Sequence, residues 1–479
     1  MSKKIIYLLS LLMALSLVFA SCKKNAAGTG PDLGGLTPPP DTGKGEDLTG
    51  DNGLFGKYED IPNDTEIANT GVYVTTDGNY YRNPVLVARE DGTLFVFAEK
   101  RWRSKGSGND VGIDGINTTD VIYKVSQNGG YKFDTQEYTV GAQATGPDNS
   151  HGAPSVFVKD NKIVVVATSG AGIGRTSQAA SQKTPSRIEY ISGTIDGTKI
   201  SWTGNWTEIK EVTVDQQKKA ISEVISISAG GANSKKFDQF GTQPSRGFVD
   251  GSGNMYLAIV LAQQGTLNDV YELMGRMTIK ASIDSPNTWT VVDKPVAYTD
   301  NASLKLGPWK ETKLISANGD ESLQHLIVPS PWTPDAYKPR VLGTAAKGIA
   351  ANITKTTIAA SEGSPGFFTT NDKWFGETKY ELSKDSSTGK VTINGGSATS
   401  ANIVVHVQQT ASQLYLYRVN DQFQIQGQGL KLDDVGKSSS VDMLPDGTVV
   451  VAAEKGGEDK NYFIRLLRYS QPYLMSKTK

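Results

Sequence analysis

The sequence predicts an all-β fold closed as a six-bladed β-propeller, and three observations carry that expectation. Short runs of alternating apolar residues recur from about Tyr58 onward, separated by Gly, Asn and Asp turns. Six of them read as hairpins of one type: Val85 to Phe97, Ser155 to Thr168, Gly247 to Val260, Thr312 to Val328, Ile403 to Tyr417 and Val441 to Ala453. No convincing amphipathic helix interrupts them; the nearest candidate, Val212 to Ile225, is short and mixed. A ring of blades leaves few strand edges exposed, so it is the natural closure for a repeating hairpin chain. Two stacked β-sandwiches are the alternative.

Polar turns punctuate the hairpins: Asp91-Gly92, Lys159-Asp160-Asn161, Asp250-Gly251 and Asp446-Gly447. Several hairpins are followed by further strands. Val121 to Ser126 leads into Gln127-Asn128-Gly129-Gly130, Arg187 to Thr194 into Asp196-Gly197, and Ile279 to Ile283 into Asp284 to Trp289. Each blade would then be an inner hairpin plus an outer pair. The stretch Ala350 to Ala401 fits this pattern least.

Composition narrows the function classes. The chain has 479 residues, a net charge of −1 and only three histidines and one cysteine. That balance gives no basic surface for nucleic acid. It argues against a His/Cys metal site and rules out a disulfide within the chain. No cofactor is expected, and the protein is expected to be a monomer. The cysteine is informative by position. Lys3 and Lys4 precede the apolar run Ile5 to Phe19, and Ala20-Ser21 precedes Cys22. Residues 1–21 resemble a bacterial lipoprotein signal, with lipid placed on Cys22. Residues 22–56, rich in Gly, Pro, Asp, Lys and Thr, read as a flexible tether, leaving 57–479 for the propeller. The expected location is the bacterial cell envelope, on its outer surface.

The most informative stretch is Tyr81-Arg82-Asn83-Pro84 and the hairpin after it, which ends Ala98-Glu99-Lys100-Arg101. Arg82 precedes the first strand and Arg101 follows the second, so both fall at one end of the strand pair. Two fixed guanidinium groups there suit a carboxylate ligand.

This Tyr-Arg-x-Pro stretch, its Asp-Gly hairpin and the Ala-Glu-x-Arg after it resemble the first blade of the sialidases, which are six-bladed propellers. Degenerate forms of that family's Asp box stand at Ser126 to Gly130 and at Ser282 to Trp289. The resemblance implies a site for sialylated glycans or glycoproteins. It would contain an arginine triad for the sugar carboxylate, an aspartic general acid/base, and a tyrosine nucleophile activated by a glutamate. A neutral phenol that loses its proton during attack avoids the repulsion an anionic nucleophile would meet from an anionic sugar. Carried over by position, Arg82 is the first triad arginine and Arg101 contacts substrate on the floor. Asp114 is the acid/base, with Asp110 second. Glu311 activates the tyrosine, and Glu454 pairs with Arg82 to join the first and last blades.

Other positions depart from the pattern. Asn83 stands where the family has Ile. The sequence Ser438-Ser439-Ser440 stands where Tyr-Ser-Ser is expected, so the nucleophile position holds Ser438. A serine hydroxyl is a poor substitute for a phenol without a histidine base. No arginine ends the hairpin that begins at Glu311, where the second of the triad belongs. Ser412-Gln413 occupies the place of the third, and no arginine lies between Arg340 and Arg418. Three readings follow: an exo-α-sialidase; a sialidase-like propeller that binds glycan or host protein without hydrolysis; or another propeller glycosidase or lyase. His151, Trp102, Trp309 and Trp332 fall near strand ends where they could contact sugar, though packing roles explain such residues as well.

Overall fold

A computed structural model of the protein describes residues 68–73, 79–102, 118–130, 132–170, 186–226, 237–262, 275–297, 309–316, 323–329, 340–343, 366–369, 373–374, 381–384, 391–394, 398–399, 401–408, 413–420, 425–433, 438–456 and 462–478. Cys22, the tether, Asp110 and Asp114 lie outside them.

The described residues are mostly β, arranged as successive meanders. The first sheet runs Tyr80–Ala88, Leu94–Arg101, Thr119–Ser126, Tyr138–Thr139. The second runs His151–Lys159, Lys162–Gly170, Ser186–Asp196, Lys199–Glu208, with Ser245–Arg246 added in parallel beside its first strand. In the third, Gln239–Gly241 and Phe248–Val249 both pair with Asn254–Ala262, followed by Gly275–Ser282, Ser285–Ala297 and the hairpin Glu211–Val214/Gln217–Ala220. The fourth contains Trp309–Ser316, Leu323–Pro329 and Arg340–Gly343. The fifth contains Gly366–Thr369, Asn402–Gln408, Gln413–Val419 and Leu430–Asp433. A separate hairpin, Glu381–Lys384 with Val391–Asn394, falls within its span. The sixth runs Ser439–Met443, Val449–Gly456, Tyr462–Tyr469 and then Ala68–Tyr73, so a strand from early in the chain completes the last sheet.

Neighbouring sheets touch in chain order, and the sixth returns to touch the first through Tyr80–Ala88. The strands bury both faces, as sheets stacked side by side must. Leu86, Leu94, Val96 and Ala98 pack toward Val450, Ala452, Ile464 and Leu466 of the sixth sheet. The alternate residues Val85, Val87, Phe95 and Phe97 pack toward Val156, Ile163 and Val165 of the second. Period-two alternation thus feeds two cores from one strand pair. Similar clusters join the second sheet to the third and the fifth to the sixth.

The hairpin Ile403 to Tyr417 is not the inner pair of its sheet. Gly366–Thr369 pairs on its far side, and Gly366 N donates to Ser439 Oγ at 3.0 Å. This inner strand comes from Ala350 to Ala401, the stretch whose pattern was hardest to read. The helix candidate Val212 to Ile225 resolves into a tight hairpin and the single turn-and-a-half Ile221–Ser226. Among the described residues, no helix is long and apolar enough to cross a membrane.

Candidate functional site

The first strand of the first sheet does not run straight. Its register slips between Arg82 and Val85, where Asn83 takes φ 55°. Asparagine tolerates this left-handed region better than most residues, and Pro84 fixes the exit from it. The bulge turns the Asn83 N–H out of the ladder and onto Glu454 Oε2 at 3.0 Å. Arg82 Nε donates to the other oxygen, Glu454 Oε1, at 2.9 Å. Glu454 is fully buried, whereas the Arg82 side chain is 16% exposed, so the carboxylate is the fixed anchor and the guanidinium the accessible partner. Arg82 and Glu454, 372 positions apart, therefore join the first and sixth sheets.

The Asn83 side chain joins two further strands. Its Oδ1 accepts from Ser438 Oγ at 2.8 Å, and its side chain also bonds Glu99. Ser438 is buried at 1% exposure, and its carbonyl accepts from Glu454 N at 2.8 Å. Glu99 accepts from Arg101 Nε at 2.8 Å and from Ala153 N in the second sheet. Burial alone would raise the Glu99 pKa. The Arg101 charge and the hydrogen bonds from Asn83, Ala153 and Arg101 outweigh it and hold the carboxyl below its ordinary value. The resulting cluster is a chain, Arg82, Glu454, Asn83, Glu99, Arg101, in which the neutral Asn83 bridges two arginine–glutamate pairs.

Of the residues singled out by sequence, the structure brings Arg82, Glu454, Arg101 and Ser438 into this one network. Glu311 lies in Trp309–Ser316, opposite Val328, and only its backbone is described. Asp110 and Asp114 are not among the described residues. Arg340 opens the third strand of the fourth sheet, opposite Ile327. Arg418 is engaged elsewhere: its Nε donates to Thr478 Oγ1 at 2.7 Å, beside the helix Gln471–Lys477. Trp102 Nε1 donates to Asp120 Oδ2 at 2.6 Å, with Lys100 Nζ 4.3 Å from its ring centroid. His151 is buried, stacked on Trp206 at 4.1 Å and bonded through Nε2 to Glu189 at 2.7 Å. Burial opposes ionisation of Glu189, but His151 and Arg187 outweigh it and hold the carboxyl down at about 2. These contacts tie Trp102 into the first sheet and His151 into the second. No cluster of three or more metal-ligating side chains occurs among the described residues.

Sequence reasoning did not single out Glu99 or Ala153 as parts of the site. One signal was available: Ala98-Glu99-Lys100 repeats as Ala453-Glu454-Lys455 at the same place in a hairpin. Each glutamate accepts the bulge N–H of the next sheet.

Comparison with solved structures decides the fold family. Trypanosoma rangeli sialidase in complex with the inhibitor DANA matches over 83% of this chain and 56% of its own, at a TM-score of 0.52 and 14% identity. The chain has a sialidase-like fold. A Hadza microbial sialidase matches at a TM-score of 0.56 and 15% identity, over 84% of this chain and 68% of its own. A protein of unknown function from Dyadobacter fermentans matches at 0.50 and 10% identity, over 85% of this chain and 99% of its own. The chain thus spans little more than half the length of the trypanosomal sialidase. No protein-family model matches the sequence. No curated protein matches it either.

Proposed function

We propose that this sialidase-like chain is a six-bladed propeller, carried on a lipid tether at Cys22 on the bacterial surface, that binds sialylated glycans without hydrolysing them through a tyrosine. One observation carries the reading. Two of the departures from the sialidase pattern, Asn83 for Ile and Ser438 for Tyr, touch each other through the 2.8 Å Ser438–Asn83 hydrogen bond. Where the family pattern places a nucleophile, this chain has a buried hydroxyl bonded to an amide. A serine hydroxyl is also a far weaker acid than a phenol, so it does not take over the tyrosine's role by simple substitution. The cyclic order of sheet contacts supports the ring closure. Arg82, oriented by Glu454, would take the sugar carboxylate, with Arg101 on the floor.

The retained Arg82–Glu454 pair favours the second reading, an exo-α-sialidase. Asp114 would then be the acid/base, with Asp110 second, and Glu311 would activate a nucleophile other than Ser438. Two measurements separate them. Purified protein is mixed with a fluorogenic sialic acid glycoside, and separately titrated with sialyllactose; Arg82→Ala is run beside it. The binding reading expects no release above the variant, together with sialyllactose binding that Arg82→Ala weakens roughly tenfold or more. Release by wild type that Asp114→Ala abolishes would establish the hydrolase instead. Failure to bind any sialylated probe would remove the binding reading.

A further inference from the structure

The strand Lys199–Glu208, at the outer edge of the second sheet, has two unlike faces. Trp202 and Trp206 pack with Tyr138 onto the core shared with the first sheet. Thr203, Asn205 and Thr207 alternate with them and face the third sheet. The core on that side is apolar only toward the inner strands, where Phe157, Val164, Val166 and Ile188 meet Met255, Leu257 and Ile259. At the outer strands it gives way to a recess of about 300 Å³. One wall is Tyr190 and Ser192 with Thr203, Asn205 and Thr207; the other is the turn Asp284-Ser285-Pro286-Asn287.

The recess has a structural cause. The register of Ser186–Asp196 with Lys199–Glu208 slips between Tyr190 and Ser192: Tyr190 pairs with Thr207, but Ser192 pairs with Thr203. Three residues, Gly204, Asn205 and Trp206, therefore stand opposite Ile191 alone. Gly204 takes φ 76°, with open space where a Cβ would be. This wide bulge bends the edge strand around the cavity. The opposite wall is held from within: Ser285 Oγ bonds Asn287 Oδ1 at 3.0 Å, and buried Trp289 anchors the end of the turn. That wall is the degenerate Asp box singled out in the sequence, which the proposed function leaves without a role.

We infer that this recess is a second carbohydrate site, for a neutral saccharide rather than an acidic one. The lining supplies hydroxyls and amides, which exchange hydrogen bonds with sugar hydroxyls in either sense. Tyr190 and Pro286 add apolar surface suited to the C–H face of a pyranose. Among the described residues that line the recess the charged one is Asp284, and Lys162 pairs with it, so the two charges offset and the lining favours no anion. The volume is at the lower end of the ~300–1,000 Å³ range of small-molecule sites, which suits one or two sugar rings. The site draws on none of the residues around Arg82.

Saturation-transfer NMR on the full chain tests this, with lactose, N-acetyllactosamine, maltotriose and sialyllactose as probes. At least one neutral probe should bind at millimolar concentration. Asn205→Ala and Asn287→Ala, both exposed positions, should each weaken it roughly fivefold or more, and Arg82→Ala should leave it unchanged. Tyr190→Phe should retain most binding and Tyr190→Ala lose it. Failure of every neutral probe to bind overturns the inference. So does neutral binding that resists both Asn substitutions or vanishes with Arg82→Ala. Loss of sialyllactose binding alone in Arg82→Ala concerns the other site and leaves this one standing.

Discussion

The first and second sheets use the same backbone device, and the difference between them separates scaffold from site. Each inner strand bulges one step before its core-forming run, Arg82 to Val85 in one and Gly152 to Ser155 in the other. Each places a non-glycine residue before a proline at positive φ, Asn83 at 55° and Ala153 at 49°. Each turns that residue's N–H onto a fully buried glutamate in the second strand of the preceding sheet, Glu454 and Glu99. The third sheet repeats the latch with a hydroxyl: Thr242 N donates to Thr168 Oγ1 at 2.7 Å. The bulge is therefore a way of joining sheets. Side chains make the first copy different. Arg82 and Asn83 reach outward from it to Glu454, Ser438 and Glu99, whereas Ala153 has nothing to offer and Glu99 is completed by Arg101 from its own strand.

The largest test removes the anchors. Glu454→Ala and Glu99→Ala should each cost about 3 kcal/mol or more in urea unfolding, because each removes a buried carboxylate that pairs with a guanidinium and accepts a bulge N–H. If the two bulges differ in function as proposed, Glu454→Ala should remove binding of sialyllactose when measured well below its melting temperature, and Glu99→Ala, which leaves the Arg82–Glu454 pair in place and disturbs Arg101 and Asn83 instead, should weaken it less. Equal loss in both would dissolve the distinction.

Asn83→Ala tests the side chain alone. It loses the bonds to Ser438 and Glu99 and keeps φ 55° without asparagine's tolerance, so about 2 kcal/mol should be lost. Ser438→Ala should cost about 1 kcal/mol. A double-mutant cycle between them should show coupling of about 0.5–1.5 kcal/mol; additive losses would mean the contact contributes nothing.

Acid should act on the second sheet. Glu189 is held at about 2, below the ordinary value of about 4.3 for a glutamate. A depressed carboxyl contributes stability that is present above the unfolded pKa and lost as pH falls from about 4.3 toward 2. Glu189→Gln should flatten that limb of a melting-temperature profile, on the order of 1 kcal/mol after allowing for partial solvent screening. An unchanged acid limb would show that the His151–Glu189–Arg187 cluster is not a stabilising one. The smallest effect has the opposite sign: Ala153→Gly relieves a left-handed alanine and should be neutral or stabilising by up to about 1 kcal/mol.

Much of the fold was legible because alternation and Asp-Gly turns are local. Val85 to Phe97 became Tyr80–Ala88 with Leu94–Arg101, and Val441 to Ala453 became Ser439–Met443 with Val449–Gly456. The fifth sheet was misread because Gly366–Thr369 is four residues long and separated by more than thirty positions from its partner Asn402–Gln408, so no short-range pattern marks the pair. In the site, Arg82 and Glu454 could be named because one opens and the other closes a recognisable hairpin. Glu99 was marked only by its repeat of the Ala-Glu-Lys at Glu454, and Ala153 by nothing, because its role arises from a positive φ and a redirected N–H that composition does not announce.

By itself, then, the sequence determined the hairpins, the strand faces and the two substitutions at Asn83 and Ser438, since each depends on residues near one another in the chain. Only the tertiary structure decided that those substitutions meet. A hydrogen bond between positions 355 apart requires the last sheet to return against the first, and that closure is set by the cores shared between sheets.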